Sequence, residues 1–307
     1  MKFIVVSPGE NPKSAGSMFL FQLAESIENL GYEANRILIA QNDQGHFFIS
    51  VDQENFIPLQ TDTLEQFFDP LNTIIIHGEN LHHKYFDSFC VARFYLNRIG
   101  ALRNVGVPRD GEYKIAWSEA FVENPDFTLQ KPLIKQPKEE ILRLDEPRLL
   151  DLTYIGKGSL YDPRFSRLQG TIELTRIWPD NIDEYLLLLS KTRFLFTFDG
   201  QTSVITEAIF YGAMPVIMTC KPRRTMGELI DTYDKEVADC CLVFEEFKNI
   251  TDENFDKFVS DFFRKRKKFL SYVDQKLRDY PNSLEKLLTS IQERFNPIAL
   301  KSKNKMN

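Results

Sequence analysis

The stretch RFLFTFDGQTSVITEAIFYGAMPVIM, residues 193–218, restricts the fold of this chain more than any other. An apolar run, RFLFTF, stops at an acidic residue and a glycine. A segment with helical spacing, TSVITEAIFYG, follows, and a second apolar run, AMPVIM, closes the unit. This pattern predicts a strand, a helix and a second strand. Two sheet strands joined through a helix lie parallel, so the segment belongs to a parallel sheet with helices packed on it. The chain begins in the same way: KFIVVS reads as a strand, PGENPKSAG as a loop, MFLFQLAESIENL as a helix stopped by Gly31, and EANRILIA as a strand. HFFISV and NTIIIHG read as further strands; FDSFCVARFYLNRI reads as helical and YKIAW as the strand after it.

From Asn124 onward the periodicity fades and prolines accumulate at 125, 132, 137 and 147, which marks a connection between domains. Alternation resumes with LLDLTYIG, GTIELTRIW, the helical NIDEYLLLLSKT and then the segment quoted first. The tail from Asp252 is helical in pattern, interrupted at Tyr280-Pro281-Asn282 and resumed as SLEKLLTSIQERF. The expected fold class is therefore α/β, with two doubly wound Rossmann-like domains facing a central cleft. The first domain spans 1–145 and the second 146–282; the helix at 283–297 returns to the first, and 298–307 form a tail. A length of 307 residues accommodates two such cores.

The net charge of −6 argues against a general nucleic-acid binder. Cys90, Cys220, Cys240 and Cys241 form no CxxC pair, and His82-His83 lacks partner ligands at metal spacing, so no metal site is expected. The start MKFIVVSPGE has no charged leader, and no apolar run reaches the ~18–20 residues that span a bilayer. A cytoplasmic protein, at most peripheral to a membrane, is the expectation.

Asp199 ends an apolar run and thus sits at the C-terminal edge of a sheet strand, where open α/β sheets bind ligands. Gly200, Gln201, Thr202 and Ser203 then turn into a helix whose first N–H groups and positive dipole end suit an anion. Glu207 lies a little over one turn further, placed for hydroxyl groups rather than for phosphate. An acidic residue before a helix is also commonly a cap. In the first half, Ser14, Ala15, Gly16 and Ser17 form a small-residue loop opening onto a helix, and His77 ends a strand. Trp117, Ser118 and Glu119 follow another strand; Trp117 could stack on a sugar face or belong to the core, and Glu119 could contact an acceptor.

The arrangement D-x7-E followed by A-x3-G-x2-P-V-I, from Asp199 to Ile217, resembles the E-x7-E region of retaining glycosyltransferases with the GT-B fold. The strand, turn, helix and strand before it keep that family's order, and SAGSMFLFQLAESIENLGYEA resembles its loop and first helix under the sugar-donor cleft. The resemblance covers about residues 1–40 and 150–220. It implies that Asp199, one methylene shorter than the usual glutamate, contacts hydroxyls of the transferred sugar, and that Glu207 holds the ribose of the nucleotide. Thr202 and Ser203 would offer backbone N–H groups to the diphosphate, with Lys157 and Arg164 neutralising it as it leaves. Gly16 would admit the donor close to the backbone, and His77 would contact the donor sugar. The implied reaction is transfer from a UDP- or GDP-linked sugar, serving as co-substrate with no cofactor and no divalent metal, to a glycan, lipid-linked or protein acceptor. Arg264, Lys265, Arg266, Lys267 and Lys268 either dock on anionic lipid or form a solvated helix face. The basic stretch at 221–224 could border the cleft or start a helix. A nucleotide-sugar epimerase on the same scaffold and a non-catalytic sugar or nucleotide sensor are the rival readings.

Overall fold

The computed structural model describes residues 1–10, 14–97, 108–132, 148–161, 164–175, 177–200, 202–218 and 233–306. Gln201, Cys220, the stretch at 221–224 and two of the connection's prolines, Pro137 and Pro147, lie outside them. The chain divides into two compact units, Met1–Lys131 with Lys276–Asn307, and Pro132–Gln275. Each is a Rossmann-like α/β fold.

The first unit is built on eight strands in the order β4-β3-β2-β1-β5-β6-β7-β8. These are β1 (Lys2–Pro8), β2 (Ala34–Gln41), β3 (Phe47–Ser50), β4 (Ile57–Pro58), β5 (Thr73–Gly78), β6 (Cys90–Tyr95), β7 (Tyr113–Ala116) and β8 (Phe127–Thr128). Strands β2, β1 and β5 through β8 are parallel, while β3 and β4 add an antiparallel edge. Helix α1 (Ala15–Glu28) connects β1 to β2. Ser14 caps it by accepting the Ser17 N–H, and Phe19, Leu20, Leu23, Ala24 and Ile27 form its buried stripe. The chain leaves the helix through Gly31 at φ 84°, a left-handed conformation that glycine adopts without steric cost.

Two elements correct the sequence reading. The segment around CVARFY is the strand β6, not a helix. Its residues are buried on both faces of the sheet, so the apolar run carries no period of two and its spacing mimics a helix. The tail is one helix, α7 (Phe255–Met306), which passes through Pro281 without interruption. An internal proline costs about 3 kcal/mol. Within the first unit Tyr280, Leu284, Leu287, Leu288, Ile291 and Phe295 are buried along this helix, each worth roughly 1.5–3 kcal/mol, so packing outweighs the proline. Tyr280 meets Phe19 edge-on at 6.5 Å, and Tyr113 donates to Ser290 at 2.8 Å.

The second unit has five strands, all parallel, in the order β10-β9-β11-β12-β13. They are β9 (Leu150–Tyr154), β10 (Ile172–Leu174), β11 (Thr192–Thr197), β12 (Met214–Ile217) and β13 (Leu242–Val243). The helices are α2 (Gly158–Tyr161), α3 (Ile182–Ser190), α4 (Ser203–Tyr211), α5 (Lys235–Ala238), α6 (Phe244–Phe247) and the first part of α7. Strand β11 alternates in the expected way: Phe194 and Phe196 join a cluster with Phe262, Phe269 and Val273 of α7, whereas Leu195 joins Tyr185, Leu186 and Leu189 of α3.

Helix α4 ends at Gly212, with φ 82°. Two arginines close this end, where the helix dipole is negative. Arg266 donates to the carbonyls of Ile209 and Phe210, and a Cβ added at Gly212 would lie 2.4 Å from the Arg148 guanidinium. Burial, and then the neighbouring Arg266, pull the Arg148 guanidinium down to about 10. Gly212→Ala is expected to lower stability by about 1 kcal/mol, the cost of a left-handed backbone for a residue with a Cβ, because the Arg148 guanidinium is the far end of a flexible side chain and can swing aside; the measure is a shift of the urea midpoint at constant slope. An unchanged midpoint would show that this turn relaxes out of the left-handed region.

Candidate functional site

The strand orders locate the ligand edge before any side chain is considered. In the second unit the chain starts at β9, places β10 on one side, and then lays β11, β12 and β13 on the other. The reversal falls between β9 and β11. Loops leaving the C-terminal ends of two such strands diverge to opposite sides and leave a crevice. In the first unit the same reversal falls between β1 and β5.

The loop after β9 is Ile155-Gly156-Lys157, with Gly158 opening α2, and the loop after β11 is Phe198-Asp199-Gly200. They meet closely. The Lys157 N–H donates to Asp199 Oδ2 at 3.0 Å, and Lys157 Nζ lies 3.9 Å from Asp199 Oδ1. Both side chains are buried, Asp199 at 2% exposure and Lys157 at 8%. Thr197 fixes the acidic residue from behind: its hydroxyl accepts the Asp199 N–H and donates to the Asp199 carbonyl, both at 3.1 Å. The glycines flanking Lys157 allow the approach. A Cβ on Gly156, at φ 52°, would lie 2.7 Å from Asp199 Oδ2, and one on Gly158 would lie 2.8 Å from the Phe198 carbonyl oxygen. Phe165 stacks on Phe198 at 4.5 Å and backs the second loop.

At 3.9 Å, and with an effective dielectric near 20, the attraction between Lys157 and Asp199 is about 4 kcal/mol. Desolvating two buried ions costs several kcal/mol each, so the pair contributes little net stability. Its position at the crevice matters more than its strength.

Helix α4 begins just beyond Asp199. Thr202 is its N-cap: the side chain accepts the Val204 N–H, the carbonyl accepts the Ile205 N–H at 3.2 Å, and the Tyr233 hydroxyl donates to that carbonyl at 2.8 Å. Ser203 is the first helical residue. Glu207 lies one turn in and is 2% exposed. The Tyr185 hydroxyl of α3 donates to Glu207 Oε2. Burial first, and then the Glu207 charge, push the Tyr185 phenol well above its ordinary range, so it remains a donor. That partner on α3 is invisible in the sequence spacing around Glu207.

The remaining expected residues are distributed as follows. Arg164 is exposed in the loop after α2. His77, near the end of β5, is fully buried; its ring lies tilted against Phe86 at 4.7 Å and Nδ1 lies 2.8 Å from the Gly78 carbonyl. Gly16 is in the first turn of α1, where a Cβ would come within 3.3 Å of Leu96 in the loop after β6. Leu96 and Asn97 both donate to the buried Glu79, which lies at the β1/β5 reversal and has no sequence motif to announce it. Trp117 packs edge-on against Phe19 at 5.3 Å and Glu119 is exposed.

The basic run is not uniform. Arg264 and Lys265 both pair with Asp261, Arg266 turns inward to α4, and Lys267 and Lys268 are exposed. A groove of about 560 Å³ beside it is lined by residues of both charges, Lys235, Arg264, Lys265 and Lys268 with Glu236 and Asp239 among them, and shares no residue with the Lys157–Asp199 pair. Among the described residues, no group of three or more His, Cys, Asp or Glu is arranged to hold a metal ion, and no helix is long and apolar enough to cross a membrane.

No family model matches the chain, and no curated protein matches it significantly. Among solved structures it is similar to the spinosyn forosaminyltransferase SpnP, with a TM-score of 0.47 and 11% identity over 94% of this chain and 99% of that one. It is also similar to Acinetobacter baumannii MurG, with a TM-score of 0.45 and 9% identity over 95% and 99%. T4 phage BGT in complex with UDP and Mn2+ gives 0.44 and 11% over 95% and 99%. With scores below 0.5, these likenesses leave the function to be argued from the site itself.

Proposed function

We propose that this protein is a glycosyltransferase that moves a sugar from a UDP- or GDP-linked donor to a glycan, lipid-linked or protein acceptor with retention of configuration. The observation that carries the reading is a buried lysine, Lys157, at the β9/β11 reversal of a parallel sheet, bonded to Asp199 in the loop that leads into α4. A cation and a helix N-terminus at one crevice suit a diphosphate. The D-x7-E arrangement from Asp199 to Glu207 supplies the sugar-nucleotide context.

In this reading the bond from the anomeric carbon to the diphosphate oxygen breaks while a bond to the acceptor oxygen forms on the same face. The acceptor proton passes to the departing phosphate oxygen, so no separate protein base is required. Negative charge grows on the diphosphate as it leaves, and Lys157 stabilises that charge more in the transition state than in the ground state. The lysine thereby fills the electrostatic role that a divalent cation would otherwise serve, and transfer is expected to persist in EDTA. Thr202 and Ser203 would meet the diphosphate through the backbone, and Arg164 would reach it from solvent. Glu207, which accepts the Tyr185 hydroxyl, would hold the ribose hydroxyls of the nucleotide.

The test is ligand-induced stabilisation. UDP or GDP at millimolar concentration is expected to raise the melting temperature, because a ligand that binds only the native state adds RT ln(1 + [L]/Kd). Lys157→Ala should weaken that binding at least tenfold, by loss of a charge-assisted contact worth about 1.5–3 kcal/mol. No stabilisation by either nucleotide, or by sugar conjugates of either, would remove the donor site.

A further inference from the structure

The geometry points to Asp199 as a positioning residue and internal counter-anion of Lys157, rather than a ligand of the transferred sugar; this rests on the donor-site reading above. Both carboxylate oxygens face the same residue. Oδ2 accepts the Lys157 N–H at 3.0 Å, and Oδ1 lies 3.9 Å from Lys157 Nζ. The side chain is 2% exposed, its backbone is tied at two points to the Thr197 hydroxyl, and Gly156 presses against it so closely that a Cβ would lie 2.7 Å from Oδ2. A carboxylate held on this many sides does not reorient to meet sugar hydroxyls without dismantling the loop.

The two oxygens do different work. The contact to the N–H fixes the Gly156-Lys157 loop against the end of β11. The charge beside Nζ keeps the lysine at the crevice in the free protein, where an unpaired buried ammonium would be costly. An arriving diphosphate must take Nζ from this carboxylate, and afterwards Asp199 and the ligand repel each other across the lysine. Asp199 thus lowers affinity for the diphosphate, and it helps expel the product nucleotide that the lysine would otherwise hold more tightly.

Asp199→Asn separates these functions, because an amide oxygen still accepts the Lys157 N–H while the charge is gone. UDP and GDP, measured by calorimetry on the full chain, are expected to bind about tenfold tighter to Asp199→Asn than to wild type, with a steeper loss of affinity as salt is raised. In the Lys157→Met background the same Asp199→Asn change should give no gain, since the effect passes through the lysine. A purely structural role for Asp199 would weaken binding or leave it unchanged, and would not depend on Lys157. A sugar-contacting role would leave UDP and GDP affinity unchanged and weaken only their sugar conjugates; either result overturns the inference while leaving the donor site standing. If the wild type binds neither nucleotide, both fall. A structure of the wild-type protein with UDP gives a check that needs no variant. Lys157 Nζ should then contact a phosphate oxygen while Asp199 Oδ2 still accepts the Lys157 N–H. Asp199 seated on a hydroxyl of the ligand would refute it.

Discussion

Arg93→Ala is expected to cost about 3–5 kcal/mol of folding stability, a large part of the ~5–15 kcal/mol that an ordinary domain possesses. Arg93 stands in the middle of β6 and is fully buried, the largest such side chain among the described residues. Its guanidinium lies 3.2 Å from Glu112 Oε2, just ahead of β7, and the Tyr95 hydroxyl donates to Glu112 Oε1 at 2.6 Å. Burial, with Glu112 next, raises the Tyr95 phenol, so it remains a neutral donor. Truncating the arginine leaves a carboxylate inside the first unit with its counter-charge removed, and that uncompensated charge, rather than the lost attraction, sets the size of the effect. Urea unfolding of Arg93→Ala should show it as a large fall in midpoint. The triple change Arg93→Met, Tyr95→Phe, Glu112→Leu removes these three polar groups together and should return much of the lost stability. If Arg93→Ala cost less than about 1 kcal/mol, the pair would have to be solvated in solution.

The same network shows what the sequence discloses and what it withholds. The order of strands and helices in the second unit follows from local pattern, because β11 is half aromatic on one face and aliphatic on the other, with a glycine ending α4. Asp199 could be placed at a strand end for the same reason. Strand β6 could not be recognised, since an arginine inside a run buried on both sides destroys the alternation that marks a strand. Its partner Glu112 stands just ahead of a different strand, and no local rule pairs residues across a sheet whose order is unknown. The Tyr185 hydroxyl on Glu207, the inward turn of Arg266 and the passage of α7 through Pro281 are of the same kind. Each is decided by tertiary packing that overrides a local signal. Lys157 was legible as a lysine after a strand, but its contact with Asp199 depends on β9 and β11 being neighbours, which only the sheet order reveals.

The glycine beside that lysine carries the second large effect. Gly158→Ala is expected to abolish measurable UDP and GDP binding and to destabilise the second unit by about 1–3 kcal/mol, the usual range for an overpacked site. Its new methyl would lie 2.7 Å from Phe198 Cβ and 2.8 Å from the Phe198 carbonyl oxygen. Neither contact involves the far end of a flexible side chain, so a rotamer change brings no relief, and the loop after β9 must lift away from the loop after β11. Phe198 cannot retreat easily, because its N–H is bonded to the Tyr154 carbonyl at 3.0 Å and its ring is stacked on Phe165. Lifting the loop stretches the 3.0 Å bond between the Lys157 N–H and Asp199, so one added carbon draws the cation away from its counter-anion and from the end of β11. Lys157→Ala removes only the cation, and residual binding through the α4 end is expected to survive it. Calorimetry on the folded fraction, with folding checked by circular dichroism, distinguishes the two outcomes. Nucleotide binding by Gly158→Ala at wild-type affinity would mean that the close meeting of these loops is not what forms the site.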